Sequence, residues 1–137
     1  MFSIASIDHI VLRTDKLGEM LTFYCQVLGC NIERETDKQT GLTQLRAGNA
    51  LIDIVTIDSK LGRMGGEAPS ESGINVDHFC LQLELISEQA IEQHLNNYNI
   101  AFNGFERRYG AQGYGQSVYI QDPQGNTVEL RSQINHD

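Results

Sequence analysis

"SIDHIVL" (residues 6–12) and "NVDHFC" (residues 75–80) each place an Asp-His pair at the head of an apolar run. One such pair carries little information. Two of them, 69 positions apart (78 − 9), point to a chain that is built twice. Internal repetition weighs more in deciding a fold than any local signal. It also sets the functional question, whether the repeated histidines serve the fold or a metal.

Working outward from the first pair, "SIDHIVLRT" reads as a strand. Asp15 is the expected N-cap of a helix that carries Leu17, Met20, Leu21, Tyr24, Val27 and Leu28 at helical spacing and stops at Gly29. Three strands are predicted next, "CNIERET", "LTQLRA" and "ALIDIVTI", punctuated by Gly41 and by "GN" at 48–49. "KLGRMGGEAPSES" (60–72) has no periodicity and reads as a linker or ordered loop. From the second pair the plan returns. "INVDHFCLQLE" is a strand, and Ser87 caps a helix with Ile91, Leu95 and Tyr98 on one face. "IAFNGFERR", the Gly-rich loop "YGAQGYGQ", the strand "SVYIQD", the turn "DPQGN" and the strand "TVELRS" follow. Each half thus reads strand, helix, three strands. The final strands correspond too: "GNALIDIV" and "GNTVELRS" both set "GN" before an acid, with the spacing differing by one residue.

The composition limits what such a chain does. At 137 residues it forms one domain of two small modules, with module one at about 1–59 and module two at about 73–137. A net charge of −8, with ten basic residues, excludes a nucleic-acid backbone or an anionic membrane surface as partner. No apolar run reaches bilayer length, and "MFSIASIDH" has no signal-peptide organisation. The three cysteines lack metal-finger spacing, and their odd count suits a reducing cytoplasm, where the protein is expected.

His9 and His78 open the first strand of each half, and Asp53 and Glu129 lie in the last. All four interrupt apolar segments. A carboxylate buried without a partner costs several kcal/mol, so such acids are exposed, paired or metal-bound. Each residue alone is explained by ordinary structure, Glu129 for instance by pairing with Arg131 on the same face. Together they form a candidate metal set. Two histidines and one carboxylate suit Fe(II). A second carboxylate suits Ni, Co, Mn or Zn. Cys80 shares a strand face with His78, as a soft ligand or, more simply, a small core residue. Arg13 shares a face with His9 and meets either an anionic substrate or a surface acid. Arg107 and Arg108, beside the glycines at 110, 113 and 115, are candidates to close over an anion, with Tyr109 and Tyr114 as lid or hydrogen-bond donors. Ordinary surface charge is the simpler explanation of the two arginines. His94 reads as a solvated helix residue and His136 as part of a terminal tail.

These segments resemble the vicinal oxygen chelate superfamily of glyoxalase I, fosfomycin-resistance proteins, extradiol dioxygenases and bleomycin-resistance proteins. "IDHIVLRTDKLGEMLTFYCQVLGC" looks like that family's opening strand and helix, "VDHFCLQL" like its fifth strand, and "YIQDPQGNTVEL" like its closing pair. The resemblance covers essentially the whole chain. It implies an α+β fold of two tandem βαβββ modules, curved as a cup that holds one divalent metal ion (Ni, Co, Zn, Mn or Fe). His9, His78 and Glu129 match the family's metal positions. Asp53 stands where glyoxalase I places a fourth ligand, a glutamate. The implied activity is a lyase or isomerase acting on a small oxygen-chelating substrate, with Glu129 or Asp53 as the catalytic base and Arg13, Arg107, Arg108 and Tyr109 as substrate-binding candidates. The alternatives are an Fe(II) extradiol-type dioxygenase, which needs only His9, His78 and Glu129, and a metal-free binding or resistance protein. A homodimer is the expected assembly.

Overall fold

The computed structural model describes residues 1–132, so His136 lies outside the described residues. The chain divides into two compact units, Met1–Ser70 and Glu71 onward. In the first, β1 (His9–Thr14) is followed by α1 (Leu17–Leu21), which runs on as a π-helical stretch over Thr22–Val27. Then come β2 (Asn31–Glu35), β3 (Leu42–Ala47), β4 (Ala50–Thr56) and the one-turn α2 (Lys60–Arg63). The second holds β5 (Phe79–Gln82), α3 (Glu88–Asn97), β6 (Glu106–Gly110), β7 (Gly113–Gln121) and β8 (Thr127–Ser132).

Each unit is a four-stranded sheet, ordered β1-β4-β3-β2 and β5-β8-β7-β6. In both, the first strand pairs in parallel with the last, and the remaining pairs are antiparallel. A parallel pair needs a crossover, and the helix after the first strand belongs to it. The βαβββ plan is therefore present twice.

Alternation along the strands separates an apolar face from a polar one. Leu12, Leu45, Ile52 and Ile54 are buried in the first unit with Met20, Phe23, Tyr24 and Val27 of the helix. Val118, Ile120, Val128 and Leu130 are buried in the second, and α3 adds Ile91 and Leu95. Fully burying a side chain of this size stabilises by about 1.5–3 kcal/mol, so these faces fix each module. The intervening residues carry the polar chemistry.

Several local expectations are corrected. The first helix is capped by Lys16, not Asp15. The Lys16 N–H is bound by Thr14 Oγ1 at 2.9 Å. The helix widens into π geometry, with Leu28 N–H bonding Phe23 C=O, and Phe23 joins Met20, Tyr24 and Val27 on its buried face. Ser87 is the cap of α3, accepting from Ala90 N–H at 3.1 Å, whereas Tyr98 ends that helix exposed. The "YGAQGYGQ" segment is not a loop. It belongs to the paired β6–β7 hairpin, closed by Gly110 opposite Gly113. Two of its glycines make room for Arg131, since a Cβ on Gly115 would lie 2.5 Å from Arg131 Nη2 and one on Gly110 would lie 2.9 Å from Arg131 Cζ, while Gly113 takes a φ of +93° at the turn.

Candidate metal and catalytic residues

Strand register shows that the two halves place their acids equivalently. Asp53 on β4 sits between Val11 on β1 and Gln44 on β3. Glu129 on β8 sits between Cys80 on β5 and Tyr119 on β7. His9 precedes Val11 by two residues and His78 precedes Cys80 by two, so each imidazole shares a face with its acid. His9 opens β1, while His78 stands immediately before β5 rather than inside it.

Each imidazole lies between two carboxylates. Asp8 Oδ1 is 2.7 Å from His9 Nδ1, and Asp53 Oδ2 is 4.0 Å from its Nε2. Asp77 Oδ2 is 2.6 Å from His78 Nδ1, and Glu129 Oε1 is 3.1 Å from its Nε2. A neutral imidazole has one N–H, so its other nitrogen turns a lone pair towards a carboxylate. Either a second proton or a metal cation relieves that opposition. Accordingly the His9 pKa is raised, first by the hydrogen bond to Asp8 and then by the charges of Asp53 and Asp8, against desolvation. His78 is raised likewise, first by Asp77 and then by Glu129.

The two acids are buried, with side chains 5% and 8% exposed, but they are held differently. Gln44 Nε2 donates to both Asp53 oxygens at 3.3 Å. Glu129 Oε2 accepts from Ser117 Oγ at 2.6 Å, and the buried Arg131 guanidinium stands 3.9 Å away. Burial alone would raise the Glu129 pKa. Hydrogen bonds from Ser117, Cys80 and Tyr119, with the His78 charge, outweigh it and leave the carboxyl below its ordinary value. Cys80 is part of this network. It is exposed, not a small core residue, yet its desolvation on the strand face, and then the Glu129 carboxylate, push its thiol up to about 12, so it holds its proton at neutral pH.

The arginines expected to meet substrate are otherwise engaged. Arg13 gives Nη1 to the carbonyls of Gly65 and Glu67, and Nη2 to those of Gly62 and Gly66. Its terminal N–H groups organise the loop after α2 instead of waiting for an anion. Arg131 bonds the carbonyls of Arg108 and Gly113 as well as facing Glu129. Gly110 and Gly115 lie against Arg131, so β6 residues 106, 108 and 110 share the face of Glu129, and Arg107 and Tyr109 point to the other. There Arg107 stacks 3.6 Å above the Tyr114 ring, which meets Tyr109 edge-on. Arg108 is on the Glu129 face but pairs with Glu106 and donates to Tyr119 Oη at 3.3 Å. His94 is exposed on α3 beside Tyr98.

Five further participants, Asp8, Asp77, Ser117, Gln44 and Tyr119, emerge only from the structure. The Asp-His dipeptides are a visible signal for the first two. The last three come into place only through register. Among the described residues, no group of three or more His, Cys, Asp and Glu side chains is close enough to hold a metal ion; each unit presents one imidazole with one buried acid.

A duplicated βαβββ plan with a histidine and an acid at equivalent positions defines a recognisable class. The family model described as the glyoxalase/bleomycin resistance protein/dioxygenase superfamily matches residues 6–130. The chain belongs to that superfamily. An integron cassette protein from V. pseudocholerae is 25% identical, over 98% of this chain and 99% of that one, with TM-score 0.74. Lactoylglutathione lyase from Agrobacterium tumefaciens is 21% identical over 95% of both chains, with TM-score 0.69. The fosfomycin resistance protein FosX from Listeria monocytogenes is 17% identical over 96% of this chain and 94% of that one, with TM-score 0.70. No curated protein matches the sequence. No helix among the described residues is long and apolar enough to cross a membrane.

Proposed function

We propose that the chain is a divalent-metal-dependent lyase or isomerase of the glyoxalase type, acting on a small substrate with adjacent oxygen atoms. The supporting observation is the imidazole set between two carboxylates, repeated at register-equivalent positions. This reading assigns His9 and Asp53 of the first unit, and His78 and Glu129 of the second, as the donors for a divalent ion (Ni, Co, Zn, Mn or Fe), with Asp8 and Asp77, bonded to the two Nδ1 atoms, as the outer partners that orient the rings. The donor chemistry fits such an ion, since both Nε2 atoms face buried acids. When bound, the ion supplies Lewis-acid polarisation of the substrate oxygens.

Within this reading the two acids divide the work. Glu129, held by Ser117 and facing Arg131, is the fixed ligand. Asp53, held by the two long bonds from Gln44 with His9 Nε2 4.0 Å away, is the base that removes and returns a proton beside the substrate carbonyl, at Oδ2. A homodimer belongs to the same proposal. It is supported by exposed Ile7 and Val76, which lie just before β1 and β5, the edge strands of the two sheets among the described residues.

The test is solvent hydrogen exchange, followed by NMR in heavy water, next to the carbonyl of 2-oxoaldehyde–thiol adducts on the metal-loaded full chain. Asp53→Asn is expected to keep the metal and lose exchange by about 100-fold or more. Full exchange in that variant would overturn the assignment of the base. Oxygen uptake with catechols on the Fe(II) form, without exchange, would replace the lyase reading by the dioxygenase one.

The histidine shifts set the pH dependence of loading. Metal requires neutral imidazoles, and both pKa values are raised, so protons compete from a higher pH than for an ordinary histidine. The Glu129 carboxyl, shifted down, stays ionised in this range and adds nothing to the slope. Affinity for Co(II) is expected to fall by up to about 100-fold per pH unit below neutrality, one factor of about ten per histidine. Titrations between pH 8 and pH 5.5 measure it. A flat profile would contradict ligation by the two imidazoles.

A further inference from the structure

A pocket of about 560 Å³ lies in the second unit, between the segment that follows α3 and the end of β7. Its origin is visible in the strand pairing. The last β7 residue paired with β6 is Ser117, opposite Glu106, yet β7 runs on to Gln121 with β8 as its one paired strand among the described residues. Asn99, in the left-handed region at φ 56°, turns the chain out of α3, and residues 100–103 line the pocket beside that open edge. The volume falls within the range of small-molecule sites.

The lining is chemically selective. Asn99, Asn103, Gln121 and Thr127 contribute amides and a hydroxyl, Phe102 contributes apolar surface, and among the described residues no charged one takes part. In a chain with 20% charged residues and a net charge of −8 that is a distinctive wall. A charged ligand would lose water here without gaining a counter-charge. Amide side chains both donate and accept, and so match carbonyl and amide groups. Tyr119 also lines the pocket, and its ring meets His78 edge-on with centroids 5.5 Å apart.

We infer that this pocket is a binding site for an uncharged, carbonyl- or amide-bearing group on an apolar body. Its assignment as the subsite for the non-reacting part of the substrate rests on the proposed function, through Tyr119 and His78. The binding itself does not need a metal.

Three probes of one size and different charge test it: benzamide, benzoate and benzylammonium. Each is titrated into the ¹⁵N-labelled full chain, in chelator, and followed by amide NMR. Benzamide is expected to bind with Kd on the order of 1 mM and to shift the side-chain amides of Asn99, Asn103 and Gln121 together with the Thr127 backbone. The charged probes should leave them in place. Ala101→Trp fills the pocket and is expected to weaken benzamide at least about tenfold, with Asn103→Trp as the second variant if the first does not fold. Equal response to the charged probes, no response of these residues to about 10 mM benzamide, or undiminished binding in the filled variant would overturn the inference. Because metal is absent throughout, such a failure is distinct from failure to load metal.

Discussion

Glu129→Gln is expected to lower the affinity of the chain for Ni(II) or Co(II) by at least about 100-fold while leaving the fold intact. The substitution keeps the shape and removes the charge. In the native chain the carboxylate is built into its place. Ser117 binds one oxygen at 2.6 Å, His78 Nε2 stands 3.1 Å from the other, and the network holds the acid ionised despite burial. An amide there still accepts from Ser117 but offers a neutral, weaker donor to a divalent cation. Asp53→Asn is expected to cost less, about tenfold, because Asp53 is restrained by the 3.3 Å bonds from Gln44 and the more distant His9, with no contact as short as that of Ser117 on Glu129. Competition with a chromophoric chelator gives both affinities. Native affinity in Glu129→Gln would remove this acid from the ligand set.

Gly62→Ala is expected to destabilise the chain by about 3 kcal/mol, lowering the thermal midpoint by about 10 °C. A Cβ there would sit 1.8 Å from the Thr56 carbonyl oxygen and 2.6 Å from Ile57 Cα. Both are backbone atoms at the end of β4, so neither yields by changing a rotamer. The turn has little freedom to move away. Ser59 Oγ accepts from Gly62 N–H, and Arg13 binds the carbonyls of Gly62, Gly65, Gly66 and Glu67 from β1. Gly18→Ala is the control. It lies in α1 with nothing within 4 Å of a new Cβ, and it should stabilise by up to about 1 kcal/mol. Thermal unfolding followed by circular dichroism separates the two. Equal midpoints for Gly62→Ala and the native chain would refute the close packing of this turn.

The repeated Asp-His pairs make the duplication legible in the amino-acid sequence itself, and the order of strands and helices follows from periodicity and turn residues. Three features are hidden there for physical reasons. Register is hidden because it is fixed by long-range pairing. The "GN" motifs differ in spacing since Gly48-Asn49 forms a two-residue turn between Ala47 and Ala50, while Gly125-Asn126 belongs to a wider turn built on Asp122. Ser117 and Tyr119 therefore cannot be placed beside Glu129 from sequence. The β6–β7 hairpin is hidden because glycine ordinarily weakens a strand, whereas here Gly110 and Gly115 leave room for the Arg131 side chain beneath. The engagement of Arg13 is hidden because backbone carbonyls leave no signature in a sequence. The legible residues, His9, Asp53, His78 and Glu129, are those whose polarity conflicts with an apolar strand.

Whether the two His-acid pairs, one per module, serve a single ion is decided by metal content per chain. Elemental analysis of the purified, reconstituted protein beside His9→Ala and His78→Ala measures it. One ion per chain is expected in the native protein, with loss of that ion in both variants. Two ions per chain, with one retained in each variant, would mean that the pairs act separately, and no ion in the native protein after reconstitution would contradict a metal centre altogether.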